Sequence, residues 1–261
     1  MQIPFFQVDA FSVEVFGGNP AVVCILDHWL DRDVLQNIAG ENNLSETAFL
    51  VPISPGNYDL KWFTPTLEID LCGHATLASA FILFKYYDLK RSILRFKTAS
   101  GDLSVVREGE LLCMDFPARS PVQIKPPEIL AEALGFEASQ VLAARDLLAV
   151  FEEENMIQNM TPDFAKIKEI KDHFAIIVTA PGKNADFVSR FFAPNAGVNE
   201  DPVTGSAHCT LVPYWAKRLH KNKLHAFQLS SRKGELFCEY LGDRVKISGY
   251  ATLFAKGNIY I

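Results

Sequence analysis

Two segments of this chain open alike. Phe63-Thr64-Pro65 leads through Glu68 and Asp70 to Cys72-Gly73-His74-Ala75, and Phe192-Ala193-Pro194 leads through Glu200 and Asp201 to Thr204-Gly205-Ser206-Ala207. Each runs Phe-x-Pro, then acids, then Gly-x-Ala at the head of a charge-free stretch, Gly73 to Phe84 in one case and Ser206 to Ala216 in the other. A helix that is apolar on every side is a buried helix. A motif repeated along a chain marks two copies of one structural unit. The chain must therefore bury two helices, each entered from an acidic loop, and each half must surround its helix with other elements.

Those elements read as strands. In the first half they fall at Phe5 to Phe11, Ala21 to Leu26, Asp59 to Phe63, Ile93 to Thr98, Leu103 to Arg107 and Leu111 to Phe116. Gly17-Gly18-Asn19-Pro20 reads as a simple turn. Asp31 caps a short helix with Val34, Leu35 and Ile38 inward, and Gly40 ends it. Pro117 to Pro127 holds four prolines and marks the linker. Beyond it come helices at Pro127 to Leu134 and Pro162 to Ile170, and strand within Gln140 to Phe151 and at Phe174 to Thr179. Pro213 should kink or end the second buried helix, because it removes a backbone donor. Four strands close the chain, at Ala226 to Ser230, Glu235 to Tyr240, Arg244 to Tyr250 and Asn258 to Ile261. The fold class is α+β in two similar domains, residues 1–117 and 118–254, with the last strand, near 255–261, a candidate to complete the first. At 261 residues and 49% hydrophobic, the chain can give each domain its own core.

Bulk properties narrow the function. The formal charge of −6 and the lack of a basic run argue against nucleic acid. The start, Met1 to Asp9, has no basic region and does not read as a signal peptide. The apolar run at Ala80 to Phe84 stops at Lys85, too short to span a bilayer, so no membrane partner is expected. Five cysteines form no C-x-x-C pair. Their odd number argues against a disulfide framework and for a reducing, cytoplasmic setting. The six histidines (28, 74, 173, 208, 220, 225) show no ligand spacing, so no metal site is read. His208 reads as a hydrogen-bonded core histidine, and Arg190 and Arg232 as structural or solvated.

The chemistry concentrates at the helix starts. The first backbone N–H groups of a helix lack internal partners, and the dipole adds partial positive charge there. Gly205 and Ser206 therefore offer a site for a carboxylate or an oxyanion, with Asp201 close by as a proton carrier. Glu46 has two readings. With Asn43 it could form a capping box, but Glu46-Thr47-Ala48-Phe49-Leu50-Val51 meets Pro52 too soon for a helix and is rich in strand formers. Glu46 is better placed at the lip of a strand. A carboxyl held against apolar neighbours resists ionising, which suits a general acid/base.

The chain resembles the PhzF family, named for a phenazine-biosynthesis isomerase. The matching stretches are Val8 to Phe11, Gly18 to Ala21, Leu44 to Phe49, Trp62 to Pro65, Cys72 to Ala78, Thr98 to Gly101, Asp115 to Pro117, Asp186 to Arg190, Glu200 to Cys209 and Pro213 to Trp215. They run in order over nearly the whole chain. Ser12 and Lys233 depart from the usual pattern without touching the chemistry. The resemblance implies a fold like that of diaminopimelate epimerase: two α+β domains related by a pseudo-twofold, each a curved, mostly antiparallel sheet around a central helix, with the site in the cleft between them. It also implies a proton-shifting isomerase that needs no cofactor, acts on a small carboxylate and forms a homodimer. By position Glu46 matches the family's general acid/base. His74, Asp201 and Ser206 match its other site residues, and the Gly73 and Gly205 backbones its anion-binding turns.

Such a reaction needs a base to take a proton, a place for the negative charge, and an acid to return the proton elsewhere. Two helix N-termini facing one cleft would hold the charge without a metal. Two other readings compete. A two-thiol amino-acid racemase or epimerase places a cysteine before each helix-opening glycine. Cys72 precedes Gly73, but Thr204 precedes Gly205, and a hydroxyl cannot act as a thiolate does. Cys72 is then a packed core cysteine. The other is a binding or interaction protein that keeps the fold without catalysis. The joint presence of Glu46, His74, Asp201 and Ser206 argues against it.

Overall fold

A computed structural model describes residues 1–261. It divides into two units, Met1–Asp115 with Ser248–Ile261, and Phe116–Ile247. In the first, β1 (Gln2–Ala10) and β2 (Asn19–Ile25) pair antiparallel. α1 (Arg32–Asn42) crosses over to β3 (Glu46–Ser54), which lies parallel to β2. β4 (Asn57–Phe63) returns antiparallel to β3, and the two-residue β5 (Glu68–Ile69) folds back on β4. α2 (Gly73–Ile82) then carries the chain, through a π-helical turn at Leu83–Tyr87, to β6 (Ile93–Thr98), parallel to β4. β7 (Gly101–Glu108) and β8 (Leu111–Pro117) follow antiparallel.

The second unit repeats this order. After β9 (Val122–Gln123) and α3 (Leu130–Leu134), β10 (Gln140–Ala143) and β11 (Leu147–Val150) pair antiparallel. α4 (Glu154–Gln158) and α5 (Phe164–Ile167) form the crossover to β12 (Ile176–Pro181), parallel to β11. β13 (Phe187–Ala193) lies antiparallel to β12, and the short β14 (Val198–Glu200) folds back on it. α6 (Gly205–Leu219) leads to β15 (Lys223–Gln228), parallel to β13. β16 (Gly234–Tyr240) and β17 (Arg244–Gly249) follow, and β18 (Ala251–Tyr260) returns to the first unit, pairing antiparallel along the length of β1. The run β2–β3–β4–β6 has the same parallel, antiparallel, parallel order as β11–β12–β13–β15. The repeated motif is thus a repeated topology, and the class is α+β.

The cores follow from the pattern. β2 is buried at every position, as a strand covered on both faces must be. Leu35, Ile38 and Ala39 of α1 share one cluster with Val22, Cys24, Phe49 and Phe63. Each such aliphatic side chain contributes about 1.5–3 kcal/mol on burial. α2 lies against β1, β2 and β3, and Ala75, Ala78 and Ala80 are wholly buried. Their small side chains let the strands come close.

Several expectations are corrected. α1 runs through Gly40 to Asn42 and ends at Asn43, which takes the left-handed conformation at φ 49°; asparagine tolerates that cap as glycine does. Pro213 does not end α6, which continues to Leu219. Leu211, Val212 and Trp215 around it are buried, and packing outweighs the lost hydrogen bond. The helix read at Pro162 to Ile170 shrinks to Phe164–Ile167, where Asp163 accepts from the Ala165 and Lys166 amides. The last strand extends back to Ala251 because β1 gives it a partner throughout. No helix is long and apolar enough to cross a membrane.

Candidate active site

In the first unit the site is built at the head of α2. β3 begins at Glu46, so the strand-lip reading holds and the capping box does not form. β3 runs parallel to β2 with Glu46 opposite Ala21. His74 is the second residue of α2, and its Nε2 lies 2.8 Å from Glu46 Oε2. The two side chains are 6% and 16% exposed, so the contact is largely dry. Asn19 Nδ2 lies 3.1 Å from the other ring nitrogen, Nδ1, and Cys72 Sγ lies 3.6 Å from Nδ1 and 3.9 Å from Nε2.

Asn19 is the residue that sequence reading missed. Gly17-Gly18-Asn19-Pro20 reads as a turn, but only Gly17-Gly18 bend; Asn19 and Pro20 open β2, and Asn19 delivers a wholly buried amide to His74. The turn depends on Gly18, which sits at φ +61° with the space for a Cβ only 2.1 Å from Ala10 O. A buried amide on a buried imidazole was the available signal, and it became visible only once β2 was placed beside α2.

Cys72 is more than a packed core residue, since its sulfur touches the His74 ring. Burial pushes the thiol up, and the Glu46 carboxylate adds to this, so the thiol holds its proton at neutral pH. Burial opposes charge on His74, but the Cys72 sulfur and the Glu46 carboxylate outweigh it and lift the imidazole well above its ordinary value. The donor atoms of Glu46, Cys72 and His74 all lie within 4.8 Å of one another.

In the second unit the head of α6 carries Gly205 and Ser206, with Thr204 as its extended N-cap. Thr204 Oγ1 donates to Asp201 Oδ2. Gln228, wholly buried at the end of β15, accepts from Thr204 N at 2.9 Å and donates to Asp201 O at 2.8 Å. Asp201, Thr204 and the helix start are therefore held as one piece. Arg190 is structural: it forms a two-pronged pair with Glu200 at 2.7 and 2.9 Å, and Nη1 donates to Ile157 O and Met160 O. His208 donates from Nδ1 to Thr204 O at 2.9 Å, and burial lowers it to about 4. It is the hydrogen-bonded core histidine expected.

Arg145 was not anticipated at the site. Its Nη2 donates to Ser206 Oγ at 3.2 Å, while its guanidinium grips the buried Asp146 at 3.0 Å through both Nε and Nη2. The repeat is chemically unequal here. Glu68 of the first copy sits in an exposed pair with Arg32, whereas Glu200 of the second anchors Arg190.

Comparison with known proteins matches residues 8–257 to the family model described as phenazine biosynthesis-like protein, PhzC-PhzF. A Pseudomonas aeruginosa protein named as an uncharacterized isomerase is 53% identical over 261 residues, covering 100% of both chains. The human phenazine biosynthesis-like domain-containing protein is 37% identical over 286 residues, covering 99% of each. The crystal structure of an Enterococcus faecalis protein of the PhzF family superposes with a TM-score of 0.98 at 49% identity, covering 100% of both chains. A hydroxyproline epimerase from Agrobacterium vitis shares the fold alone, with a TM-score of 0.63 at 9% identity over 99% of this chain and 92% of its own. On the family match and these identities, the chain belongs to the phenazine biosynthesis-like, PhzC-PhzF family.

Proposed function

We propose that this protein is an isomerase that moves a proton within a small carboxylate substrate by general acid/base catalysis, with no cofactor. Its relatives' names as isomerases support this reading, and the observation that carries it is the 2.8 Å contact of Glu46 with His74 in a nearly dry setting. Glu46, as carboxylate, takes a proton from a carbon made acidic by the substrate's unsaturation. The electron pair left behind spreads into the conjugated system, and protonated Glu46 returns the proton to a different carbon. The double bond shifts, and no electrons are gained or lost. His74, charged and fixed by an Asn19 amide turned so that its oxygen accepts from Nδ1–H, steadies Glu46 through Nε2–H.

The negative charge that develops needs donors fixed in advance. The amides of Gly73 and His74 at the head of α2 supply them, strengthened by the helix dipole. Gly205 and Ser206 take the matching part at the head of α6, with Arg145 adding positive charge beside Ser206 and Asp201 carrying a proton. A two-thiol racemase mechanism is disfavoured: Thr204 stands where the second thiol would be, and its hydroxyl is already tied to Asp201.

The test is deuterium incorporation from D2O into a panel of small unsaturated carboxylates, followed by NMR. The wild type should place deuterium at one carbon. Glu46→Gln should lower the rate by about 10²–10⁴-fold. Equal incorporation by Glu46→Gln and wild type would remove Glu46 from the reaction.

A further inference from the structure

We propose that Glu46, Cys72 and His74 form a binding site for a soft divalent cation of the Zn2+ type. The three side chains offer one carboxylate oxygen, one sulfur and one ring nitrogen, all within 4.8 Å of each other. His74 Nε2 is 2.8 Å from Glu46 Oε2 and 3.9 Å from Cys72 Sγ. Around a tetrahedral zinc with bonds of about 2.0–2.3 Å, neighbouring ligand atoms stand about 3.3–3.7 Å apart. The two measured separations bracket that span and the Glu46–Cys72 separation is at most 4.8 Å, so an ion enters after shifts of about 1 Å, with Glu46 Oε2 and His74 Nε2 moving apart around it.

The chemistry of the set selects the ion. Thiolate with imidazole favours zinc, cobalt or cadmium over magnesium or calcium, which take oxygen ligands. When the metal binds, the Cys72 thiol and Nε2 of the protonated His74 each give a proton to solvent, and the head of α2 stabilises the thiolate that results. Two anionic ligands then offset the ion's charge. Asn19 completes the arrangement. Its amide lies on Nδ1, the ring nitrogen facing away from Glu46. Turned to present its oxygen, that amide accepts a hydrogen bond from Nδ1–H, which fixes the tautomer whose bare Nε2 can bind the metal, the support that ligating histidines use. Cys72 and His74 are buried, and Glu46 is the more exposed of the three, so the ion enters past the carboxylate. The fourth coordination position stays open.

One consequence rests on the proposed acid/base role of Glu46. The ion occupies the carboxylate and imidazole that the proton transfer uses, so it is a reversible inhibitor.

The experiment uses the full chain, first stripped with a chelator. Calorimetric titration with Zn2+ should show one ion per chain, and Co2+ should produce a thiolate-to-cobalt charge-transfer absorption. Cys72→Ser and Cys72→Ala should each remove that absorption and weaken Zn2+ by at least about tenfold. The cobalt spectrum of the wild type reads the sulfur ligand without any variant. Absence of saturable Zn2+ binding, or of the charge-transfer band, overturns the site. So does equal affinity in the Cys72 variants. A chain that binds Zn2+ but incorporates no deuterium keeps the cation site and loses the isomerase. One that incorporates deuterium without binding Zn2+ does the reverse.

Discussion

Replacing Gln228 with methionine keeps the length of a wholly buried side chain and removes both of its polar ends. In the native chain Oε1 accepts from Thr204 N at 2.9 Å, and Nε2 donates to Asp201 O at 2.8 Å and to Thr204 Oγ1 at 3.2 Å. Thr204 is only 7% exposed. Its N–H would lose its partner where water does not reach, at a cost of about 1–3 kcal/mol. The Asp201 carbonyl is partly exposed and recovers some of its bond from water, which adds about 0.5–1 kcal/mol. The Thr204 hydroxyl keeps Asp201. The total of about 1.5–4 kcal/mol corresponds to a fall in Tm of about 3–16 °C for a chain of this size. Differential scanning calorimetry reads that fall. Amide hydrogen exchange at Thr204 should speed up by at least about tenfold, because local opening becomes easier. A variant that melts within about 1 °C of wild type, with the Thr204 amide equally protected, would show that Gln228 does not hold the loop.

Asn19→Ala should lower deuterium incorporation by about 10–100-fold where the variant remains folded, since it frees a ring that must be held in place, and should cost about 1–3 kcal/mol of stability because a buried ring nitrogen loses its partner; an unchanged rate would mean that His74 is oriented without it. Gly234→Ala would set a Cβ 2.2 Å from Val203 Cγ2, so the loop before α6 must move, and Tm should drop by several degrees where Ala at an open strand position would be mild. His208 gives a pH signature. Its folded value near 4 lies below the usual 6.5, so its contribution is complete above pH 6.5 and is lost as pH falls toward 4. The loss is about 3 kcal/mol over that window, and His208→Gln should flatten this part of the stability profile relative to wild type. His74 has the opposite sign: raised by its partners, it contributes below its unfolded value and stops contributing as pH rises through the folded one.

Much of the architecture was legible because it depends on local pattern. The two charge-free stretches could only be buried helices, and α2 and α6 begin at the glycines the pattern marked. Glu46 was placed at a strand start because Pro52 left no room for a helix, and β3 starts there. Where local signals compete with packing, they misled. Gly40 looks like a helix stop, yet the stop lies at Asn43, and Pro213 is carried inside α6 by buried neighbours.

Residue order alone therefore settled which segments are helices, where the acids and glycines stand relative to the helix starts, and that the chain is built twice. These follow from periodicity and from the backbone preferences of glycine and proline, which act over a few residues. It could not say which side chains meet. Asn19 reaches His74 across 55 positions, and Arg145 reaches Ser206 across 61. Those meetings exist because β2 lies next to α2 and because the turn before β11 reaches the head of α6. Only the closing of long loops by packing brings such distant groups within hydrogen-bond range.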